Sequence, residues 1–286
     1  MDNGNKNRQF VTKISQSDKP LVSIITVCLN SEKYLEQTIQ SVINQTYDNI
    51  EYIIIDGGSN DRTLDIIKKY ENRIAYWVSE PDKGIYDAMN KGISFARGEW
   101  VGIINSDDWY APDTVHCIVE AAAEKPETGV FFGNMIVYQP ENNRVAYHQA
   151  KKGQPEDLSL EMNIPHPTCF VARRIYEQFQ FNPAFRIAGD YDLLVRFYFN
   201  GIKFSHIDRT LVYYRPGGIS TQNFYRRIIE EYRIHSRYHC LKALQKWFHE
   251  TNNFFLGKLR KCFPEAFKNK YRNYKKKIRA FKGHRP

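Results

Sequence analysis

The sequence predicts an α/β domain with a mostly parallel, twisted sheet and flanking helices, followed by a basic helical appendage. Two patterns indicate the domain: from residue 21 short apolar runs alternate with stretches of helical periodicity, and polar side chains follow the apolar runs. Strands separated by helices of about 10–15 residues imply right-handed βαβ units and a parallel sheet. A concentration of positive charge near the C-terminus indicates the appendage.

The elements of the parallel part follow one another in regular order. Strands are predicted at Leu21–Leu29, Ile50–Ile55, Ile74–Val78 and Trp100–Ile104, and helices at Ser31–Asn44, Arg62–Tyr70 and Ile85–Ala96. The first run is apolar and β-branched, as in a strand that is buried on both faces.

The pattern changes beyond Pro126. Antiparallel strands are predicted at Val130–Tyr138 and Arg144–Gln149, further strands at Thr168–Val171, Lys203–Ile207 and Leu211–Arg215, and a helix at Asp190–Asn200. From Phe224 onward the sequence is helical in pattern, aromatic and basic.

Charge divides the 286 residues unevenly. Residues 217–286 contain 18 Lys and Arg against 4 Asp and Glu, so the net charge of +9 combines a tail of +14 with a body of −5. We expect a disordered lead-in at 1–20, a globular domain at 21–216 and a basic aromatic helical tail at 217–286. With no spanning apolar run, no signal-peptide h-region and five scattered cysteines, the sequence favours a reducing cytoplasm.

Polar side chains follow three of the predicted parallel strands. Thr26 and Asn30 lie at the end of the first, Asp56 ends the second before two glycines, and Asp107 and Asp108 follow the fourth. Parallel strands point their carboxyl ends into one crevice, where such sheets bind ligands. Carboxylates without a G-x-G-x-x-G or G-K-[ST] loop favour Mg²⁺ or Mn²⁺ bridging a diphosphate over dinucleotide or P-loop chemistry. The alternative for the aspartate pair is an Asp-rich turn that caps the next helix.

As an ordered set, these segments closely resemble family 2 glycosyltransferases, which have the GT-A fold. The segments are P-L-V-S-I-I-T-V-C-L-N, Y-I-I-I-D-G-G-S-N-D, S-E-P-D-K-G-I-Y-D-A-M-N-K-G and G-E-W-V-G-I-I-N-S-D-D-W. Farther on, A-G-D-Y-D-L-L-V-R resembles the family's catalytic-base motif, and R-P-G-G-I-S a segment common in its bacterial cell-surface polysaccharide members. The resemblance covers about residues 20–220.

The resemblance implies an enzyme. It implies inverting transfer of a hexosyl or N-acetylhexosaminyl group from a nucleotide-diphospho-sugar, with UDP the expected nucleotide, to a lipid-linked or saccharide acceptor. The alternative is a non-catalytic protein on the same scaffold that binds a sugar nucleotide or a membrane. Without spanning helices or a Q-x-x-R-W motif, single additions are expected rather than processive synthesis.

The resemblance also assigns the donor side of the site. The implied nucleotide and donor contacts are Thr26, Asn30, Glu32, Asp56, Asp82, Lys83, Asn105, Ser106 and Asp107; Lys83 and also Lys91 are the weaker candidates. Asp107 and Asp108 are the implied ligands of the divalent cation, Mg²⁺ or Mn²⁺. Asn105 replaces the first Asp of the D-x-D motif. The site therefore loses one formal charge, and a modest affinity for the metal is expected.

Three further residues are candidates for the catalytic base, the acceptor side and a diphosphate contact. Asp190 begins a predicted helix, where it is either a helix cap or, as the resemblance implies, the base that deprotonates the acceptor hydroxyl; Asp192 is less favoured. His166, in a Pro-His-Pro loop, lines the acceptor side or is an ordinary structural histidine. Arg215 contacts the diphosphate or is an ordinary surface arginine.

The tail interleaves cations with aromatic side chains and runs into Lys275–Lys277. Helices of this composition bury aromatic side chains at a lipid interface while their cations meet anionic headgroups. We therefore expect peripheral attachment to the inner face of the membrane. The alternatives are a helix that packs its aromatic side chains on the body and a nucleic-acid-binding segment. Nucleic acid is disfavoured because the body is acidic and has no recognised nucleic-acid motif.

Overall fold

The computed structural model describes residues 13–16, 19–139, 144–148, 158, 162–217 and 223–238. Its strands are β1 Val22–Cys28, β2 Ile50–Asp56, β3 Tyr76–Ser79, β4 Trp100–Asn105, β5 Trp109–Tyr110, β6 Val130–Gln139, β7 Arg144–His148, β8 Phe170–Ala172 and β9 Phe204–Tyr214. Its helices are α1 Leu35–Ile43, α2 Thr63–Lys69, α3 Ile85–Phe95, α4 Thr114–Glu124, α5 Arg173–Tyr176, α6 Gly189–Phe199 and α7 Phe224–Arg237, with 3₁₀ turns at Glu71–Arg73 and His166–Thr168. Lys275–Lys277 and the rest of the tail after residue 238 lie outside the described residues.

One mixed sheet joins the strands of the described chain in the order β3-β2-β1-β4-β8-β6-β9-β5, with β7 paired to β6. Strands β1 to β4 are mutually parallel, which confirms the predicted βαβ units. Strand β8 runs antiparallel to β4, and β6 runs antiparallel to both β7 and β8. The predicted α/β class with flanking helices is therefore confirmed, but the sheet is mixed rather than mostly parallel, because its strand pairings are evenly divided between parallel and antiparallel.

The end of the sheet differs from the sequence prediction. The two strands predicted around residues 203–215 form one strand, β9, which pairs in parallel with β6. Its register jumps from Gly133 opposite Ile207 to Asn134 opposite Thr210. The polar residues between the two apolar runs are accommodated as a bulge, so they interrupt the pattern without ending the strand.

The core forms where helices cover the parallel strands. Every residue of β1 is buried, as expected for a strand covered on both faces. Helix α1 buries the apolar stripe of Leu35, Ile39 and Val42. Helix α3 approaches β1 closely because Gly92 has no side chain: a Cβ there would lie 2.5 Å from Ile25 Cγ2.

Both ends of the described chain contact the body. The amide of Leu21 donates to Ser15 Oγ at 3.0 Å, in the predicted lead-in. Helix α7, in the predicted tail, buries Ile234, and its His235 Nε2 lies 3.0 Å from the hydroxyl of Tyr191 on α6. No helix in the described ranges is both long enough and apolar enough to cross a bilayer.

Candidate active site

The ends of β1, β2 and β4 lie side by side at one edge of the sheet. Cys28 pairs with Asp56, and Val27 pairs with Asn105. The loops that follow these strands therefore start from neighbouring points, which brings the aspartates of β2 and of the β4 loop to the same edge of the sheet. This is the edge where open α/β sheets bind ligands.

Asp56 is held rigidly by the loops around it. Its carboxylate accepts hydrogen bonds from the amides of Gly58 (3.1 Å) and Ser59 (2.9 Å) and from the hydroxyls of Ser59 (2.5 Å) and Ser79 (2.6 Å). Thr26 is fully buried within β1, and its hydroxyl shares a 3.0 Å hydrogen bond with Tyr52. The hydroxyl of Thr26 is thus bonded within the core and is not exposed at the strand end.

Asn30 and Glu32 are exposed, and they tie the loop after β1 to the loop after β2. Asn30 adopts a left-handed conformation with φ of 50°, which Asn tolerates better than most residues. Its Oδ1 accepts from the amide of Asn60 at 2.9 Å, and Glu32 Oε2 accepts from the amide of Arg62 at 3.0 Å.

Asp82 lies against the end of β2. Its Oδ1 accepts from the amide of Gly84 at 2.7 Å, while Oδ2 would be 2.5 Å from a Cβ built on Gly57. The missing side chain at Gly57 therefore leaves room for this carboxylate next to Asp56. Lys83 is exposed. Lys91, like Lys83 a weaker candidate, forms an ion pair with Glu80 at 2.9 Å.

The two aspartates after β4 have different surroundings. Asp107 is half-buried, whereas Asp108 has no exposed surface and its Oδ1 accepts from the backbone amide of Arg215 at 2.9 Å. Asp108 Oδ2 lies 3.3 Å from Asn105 Nδ2. Ser106 shares a 2.8 Å hydrogen bond with the hydroxyl of Ser31. Asp107 is thus the carboxylate of this pair that keeps exposed surface.

Electrostatics at this pair favour a cation. Burial raises the pKa of both Asp107 and Asp108, and the neighbouring Asp107 raises that of Asp108 further, while Arg215 opposes both shifts. A positive ion would favour the ionised carboxylates and offset that penalty.

The oxygen atoms available here suit a metal ion that is held partly by the protein and partly by the phosphates of the substrate. Among the described residues, no three His, Cys, Asp or Glu side chains gather as a metal cage. Mg²⁺ is commonly held by one or two carboxylates together with substrate phosphates. Asp107, with the amide oxygen of Asn105 nearby in sequence, fits that arrangement.

Arg215 braces the loop that carries Asp107. It is buried, with its guanidinium carbon 3.7 Å from the ring centre of Tyr34 and 5.0 Å from that of Trp109. One terminal nitrogen donates to the carbonyl of Asp107 at 2.7 Å and the other to Gln37 Oε1 at 2.9 Å. Its Nε is buried without a partner in the described chain. Arg215 therefore fixes the Asp107 loop through the carbonyl of Asp107. The positive charge of the guanidinium lies beside that loop.

Asp190 lies in the first turn of α6 and is half-buried. Its Oδ1 accepts from the amide of Tyr191 at 2.9 Å and lies 3.3 Å from the hydroxyl of Tyr86, which also bonds the carbonyl of Ile187 at 2.7 Å. Gly189 makes this contact possible, because a Cβ there would be 2.6 Å from the Tyr86 ring. Asp190 is therefore joined through Tyr86 to α3, the helix that follows the Asp82 loop.

The carboxylate of Asp192, two residues later, is engaged in ion pairs. It is fully buried and pairs with Arg196 at 2.9 Å and with Arg237 at 3.4 Å. These ion pairs leave it in a structural position between α6 and α7.

His166 is buried, with its ring edge-on to Phe181 at a centroid distance of 5.6 Å. Burial lowers the pKa of His166, and the Asp190 carboxylate only partly opposes that shift. The ring is therefore mainly neutral at pH 7. It is close enough to Asp190 for the charge of that carboxylate to affect its pKa.

The structure brings Asp56, Asp82 and Asp107 to adjoining strand ends. Thr26, Asp56 and Asp108 are fully buried, whereas Asp82 and Asp107 keep exposed surface. Sequence reasoning gave no site role to Tyr86, although it lies within the S-E-P-D-K-G-I-Y-D segment. It also did not single out Ser79, because nothing in the local sequence indicates that its hydroxyl bonds Asp56.

Comparison with protein families gives one match of long extent. The family described as Glycosyl transferase family 2 matches residues 23–181, more than half of the chain. A relative from Methanocaldococcus jannaschii, described as an uncharacterized glycosyltransferase, is 26% identical over 255 residues, covering 86% of this chain and 87% of its own.

Two solved structures share the fold. A crystal structure of residues 1–349 of S. aureus TarS with UDP-GlcNAc superposes with a TM-score of 0.60 at 21% identity, covering 73% of this chain and 64% of that one. A mannosyltransferase from Pyrobaculum calidifontis with GDP-Man and Mn²⁺ gives a TM-score of 0.58 at 18% identity, covering 78% and 65%. These likenesses confirm the predicted GT-A fold.

Proposed function

The chain belongs to glycosyltransferase family 2, and we propose on this basis that it transfers a sugar from a nucleotide-diphospho-sugar to a hydroxyl of a lipid-linked or saccharide acceptor. The observation that carries the proposal is that carboxylates follow neighbouring strands at one edge of the sheet. Asp56 and Asp107 follow neighbouring strands, and Asp190 is joined through Tyr86 to the helix after the Asp82 loop.

On the donor side, Asp56, Asp82 and the backbone of the surrounding loops are assigned to the nucleoside. The Asp56 carboxylate is fully buried and accepts four hydrogen bonds, so its proposed contribution is to hold the Gly58 and Ser59 backbone of the loop that receives the nucleoside. UDP is the expected nucleotide, in keeping with the TarS complex with UDP-GlcNAc. The transferred group is proposed to be a hexosyl or N-acetylhexosaminyl residue.

A divalent cation, Mg²⁺ or Mn²⁺, is proposed to be held by Asp107 and by the donor diphosphate. When bound, such an ion neutralises the charge that develops on the leaving diphosphate. Of the two aspartates first considered as ligands, Asp107 is preferred, because Asp108 is buried and accepts the amide of Arg215. The Mn²⁺ in the P. calidifontis structure is consistent with this assignment.

The transfer is proposed to invert the anomeric carbon in one displacement. The acceptor oxygen forms the new bond to that carbon as the bond to the diphosphate oxygen breaks, and the nucleoside diphosphate leaves with the electron pair. Asp190 takes the proton of the acceptor hydroxyl. The half-buried carboxylate is fixed by the Tyr191 amide but retains exposed surface for an acceptor. His166 is proposed to line the acceptor side.

The acceptor is proposed to belong to a bacterial surface polysaccharide or glycolipid. The R-P-G-G-I-S segment, which begins at the buried Arg215, supports this class by its resemblance to members of that group. The alternative, a non-catalytic binding protein, would not need a partly exposed carboxylate fixed at a helix start.

Nucleotide titration tests the donor assignment. We expect UDP to bind more tightly with Mn²⁺ than without, and more tightly than GDP, dTDP or CDP. Isothermal calorimetry of each diphosphate with and without Mn²⁺ is the measurement. If none of the four binds under either condition, the donor-site proposal is wrong.

The tail is proposed to attach the enzyme to the cytoplasmic face of a membrane. The 18 Lys and Arg of residues 217–286 support this, because basic aromatic segments bind anionic lipid surfaces. We expect the full chain to co-sediment with phosphatidylglycerol-containing vesicles at low salt and to be released at about 1 M salt. Equal recovery with purely zwitterionic vesicles would contradict the electrostatic attachment.

A further inference from the structure

One buried carboxylate of helix α7 accepts hydrogen bonds from the backbone just before Asp190. Glu230 is only 2% exposed. Its Oε2 accepts from the amides of Ile187 at 2.9 Å and Ala188 at 3.0 Å, and its Oε1 accepts from the amide of Arg186 at 3.0 Å. Three successive backbone amides thus converge on one side chain that comes from 42–44 residues later in the chain.

Glu230 is held in the charged form. Burial alone would raise its pKa, but the three amides and Arg226, whose Nε lies 3.1 Å from Oε1, lower it overall. An ionised carboxylate makes stronger hydrogen bonds than a neutral group. The segment before Asp190 is therefore held by charge-assisted bonds.

This segment has little local support of its own. The N-cap residue of α6 is Ala188, which makes no side-chain capping bond. The side chain of Ala188 cannot accept any of the first amides of α6, which have no intrahelical partner, although Asp190 accepts that of Tyr191. The acceptors that fix the approach to α6 come instead from Glu230, and its negative charge also suits the N-terminal end of the α6 dipole.

The same segment determines where Asp190 and Tyr86 meet. The carbonyl of Ile187 accepts the Tyr86 hydroxyl at 2.7 Å, and Asp190 lies three residues later at 3.3 Å from that hydroxyl. The Arg186 side chain also donates to the carbonyl of Lys83, in the donor-side loop. A shift of residues 186–188 would therefore move Asp190 relative to the donor loop.

We infer that Glu230 is a positioning residue for the transfer reaction: it fixes residues 186–188 and thereby the carboxylate of Asp190. The inference rests on the proposed role of Asp190 as the base. It assigns the first helix of the basic tail to the active site, in addition to any role of the tail at a membrane.

The test compares Glu230→Ala with Glu231→Ala in the full-length protein. Glu231 is the matched control, because it lies on the same helix, carries the same charge and has its carboxylate 3.7 Å from Arg227. For Glu230→Ala we expect kcat to fall about 10–100-fold, with the donor KM changed less than about threefold, because misplacement of a reacting group affects the chemical step most. Glu231→Ala should keep kcat within about twofold of wild type.

A conservative variant separates positioning from folding. Glu230→Gln keeps one oxygen at the position of Oε2, so it should recover most of the lost kcat, while a purely electrostatic role for Glu230 would leave it as impaired as alanine. Both variants are assayed well below their measured melting temperatures. Unchanged kcat in Glu230→Ala would overturn the inference, as would equal losses in Glu230→Ala and Glu231→Ala.

Hydrogen exchange makes the result independent of turnover. The amides of residues 186–188 should exchange at least about tenfold faster in Glu230→Ala than in wild type or Glu231→Ala. If wild type itself transferred no sugar from any donor while this protection were lost, the proposed function would fail and the contact would stand. Unchanged protection in Glu230→Ala would overturn the positioning role itself.

Discussion

Replacing Asp190 by Asn is expected to lower kcat by about 10²–10⁴-fold, the usual contribution of a general base. Asn keeps the shape and an oxygen that can accept from the Tyr191 amide at the position of the present 2.9 Å bond, so α6 should start as before. It cannot take the proton of the acceptor hydroxyl. UDP affinity should stay within about twofold, because a base assists the chemical step rather than donor binding. Steady-state transfer and calorimetric UDP titration measure the two quantities.

Asp192→Asn is the control for this variant, since it makes the same chemical change two residues away. Asp192 is buried and pairs with Arg196 and Arg237, so its loss should lower the free energy of unfolding by about 2–4 kcal/mol. Its kcat per folded molecule should remain within about threefold of wild type, because the carboxylate is already occupied. Full transfer activity in Asp190→Asn would remove Asp190 from the role of base.

Replacing Asp107 by Ala is expected to abolish the gain in UDP affinity that Mn²⁺ produces and to lower transfer by about 10²–10³-fold. The reason is geometric: Asp107 keeps exposed surface, whereas Asp108 is buried against the amide of Arg215. Without Asp107, the diphosphate would bring the cation to a site that has lost its accessible carboxylate. UDP titration with and without Mn²⁺ measures the loss directly.

Two neighbouring variants serve as controls for Asp107→Ala. Asn105→Asp adds back the formal charge of a D-x-D motif and should tighten Mn²⁺-dependent UDP binding about tenfold, provided that the added carboxylate faces the ion. Asp108→Asn weakens the bond to the Arg215 amide and should reduce stability more than it reduces metal dependence. Mn²⁺-dependent UDP binding of wild-type strength in Asp107→Ala would show that another group holds the ion.

Local periodicity was sufficient to predict the parallel half of the fold. β1, β2 and β4 are buried apolar runs, and α1 and α3 show helical spacing, so each reveals its type within its own segment. β9 was predicted as two strands because its middle is polar. That the chain continues through this break depends on its pairing with β6, 70 or more residues away, and no local pattern records that pairing.

The candidate site divides in a similar way. The sequence indicated Asp56 and Asp107 because a carboxylate after an apolar strand must lie at the ligand-binding edge of a parallel sheet. It could not indicate that the Thr26 hydroxyl bonds Tyr52 or that Asp108 accepts from Arg215, because these depend on side-chain direction. The roles of all the candidate residues, Asp190 included, stay predictions until the variants above are measured.

The sequence by itself determined the family, the order of the parallel strands and helices, and the segments that supply the carboxylates. Each of these follows from short-range spacing, which a polypeptide carries in its local pattern. Only the tertiary structure decided which aspartate keeps exposed surface, that Arg215 is buried behind Asp107, and that Glu230 reaches the backbone before Asp190. Those contacts join residues 42 to 108 positions apart, and they exist because burial favours structures in which most polar groups find a partner, however distant in sequence.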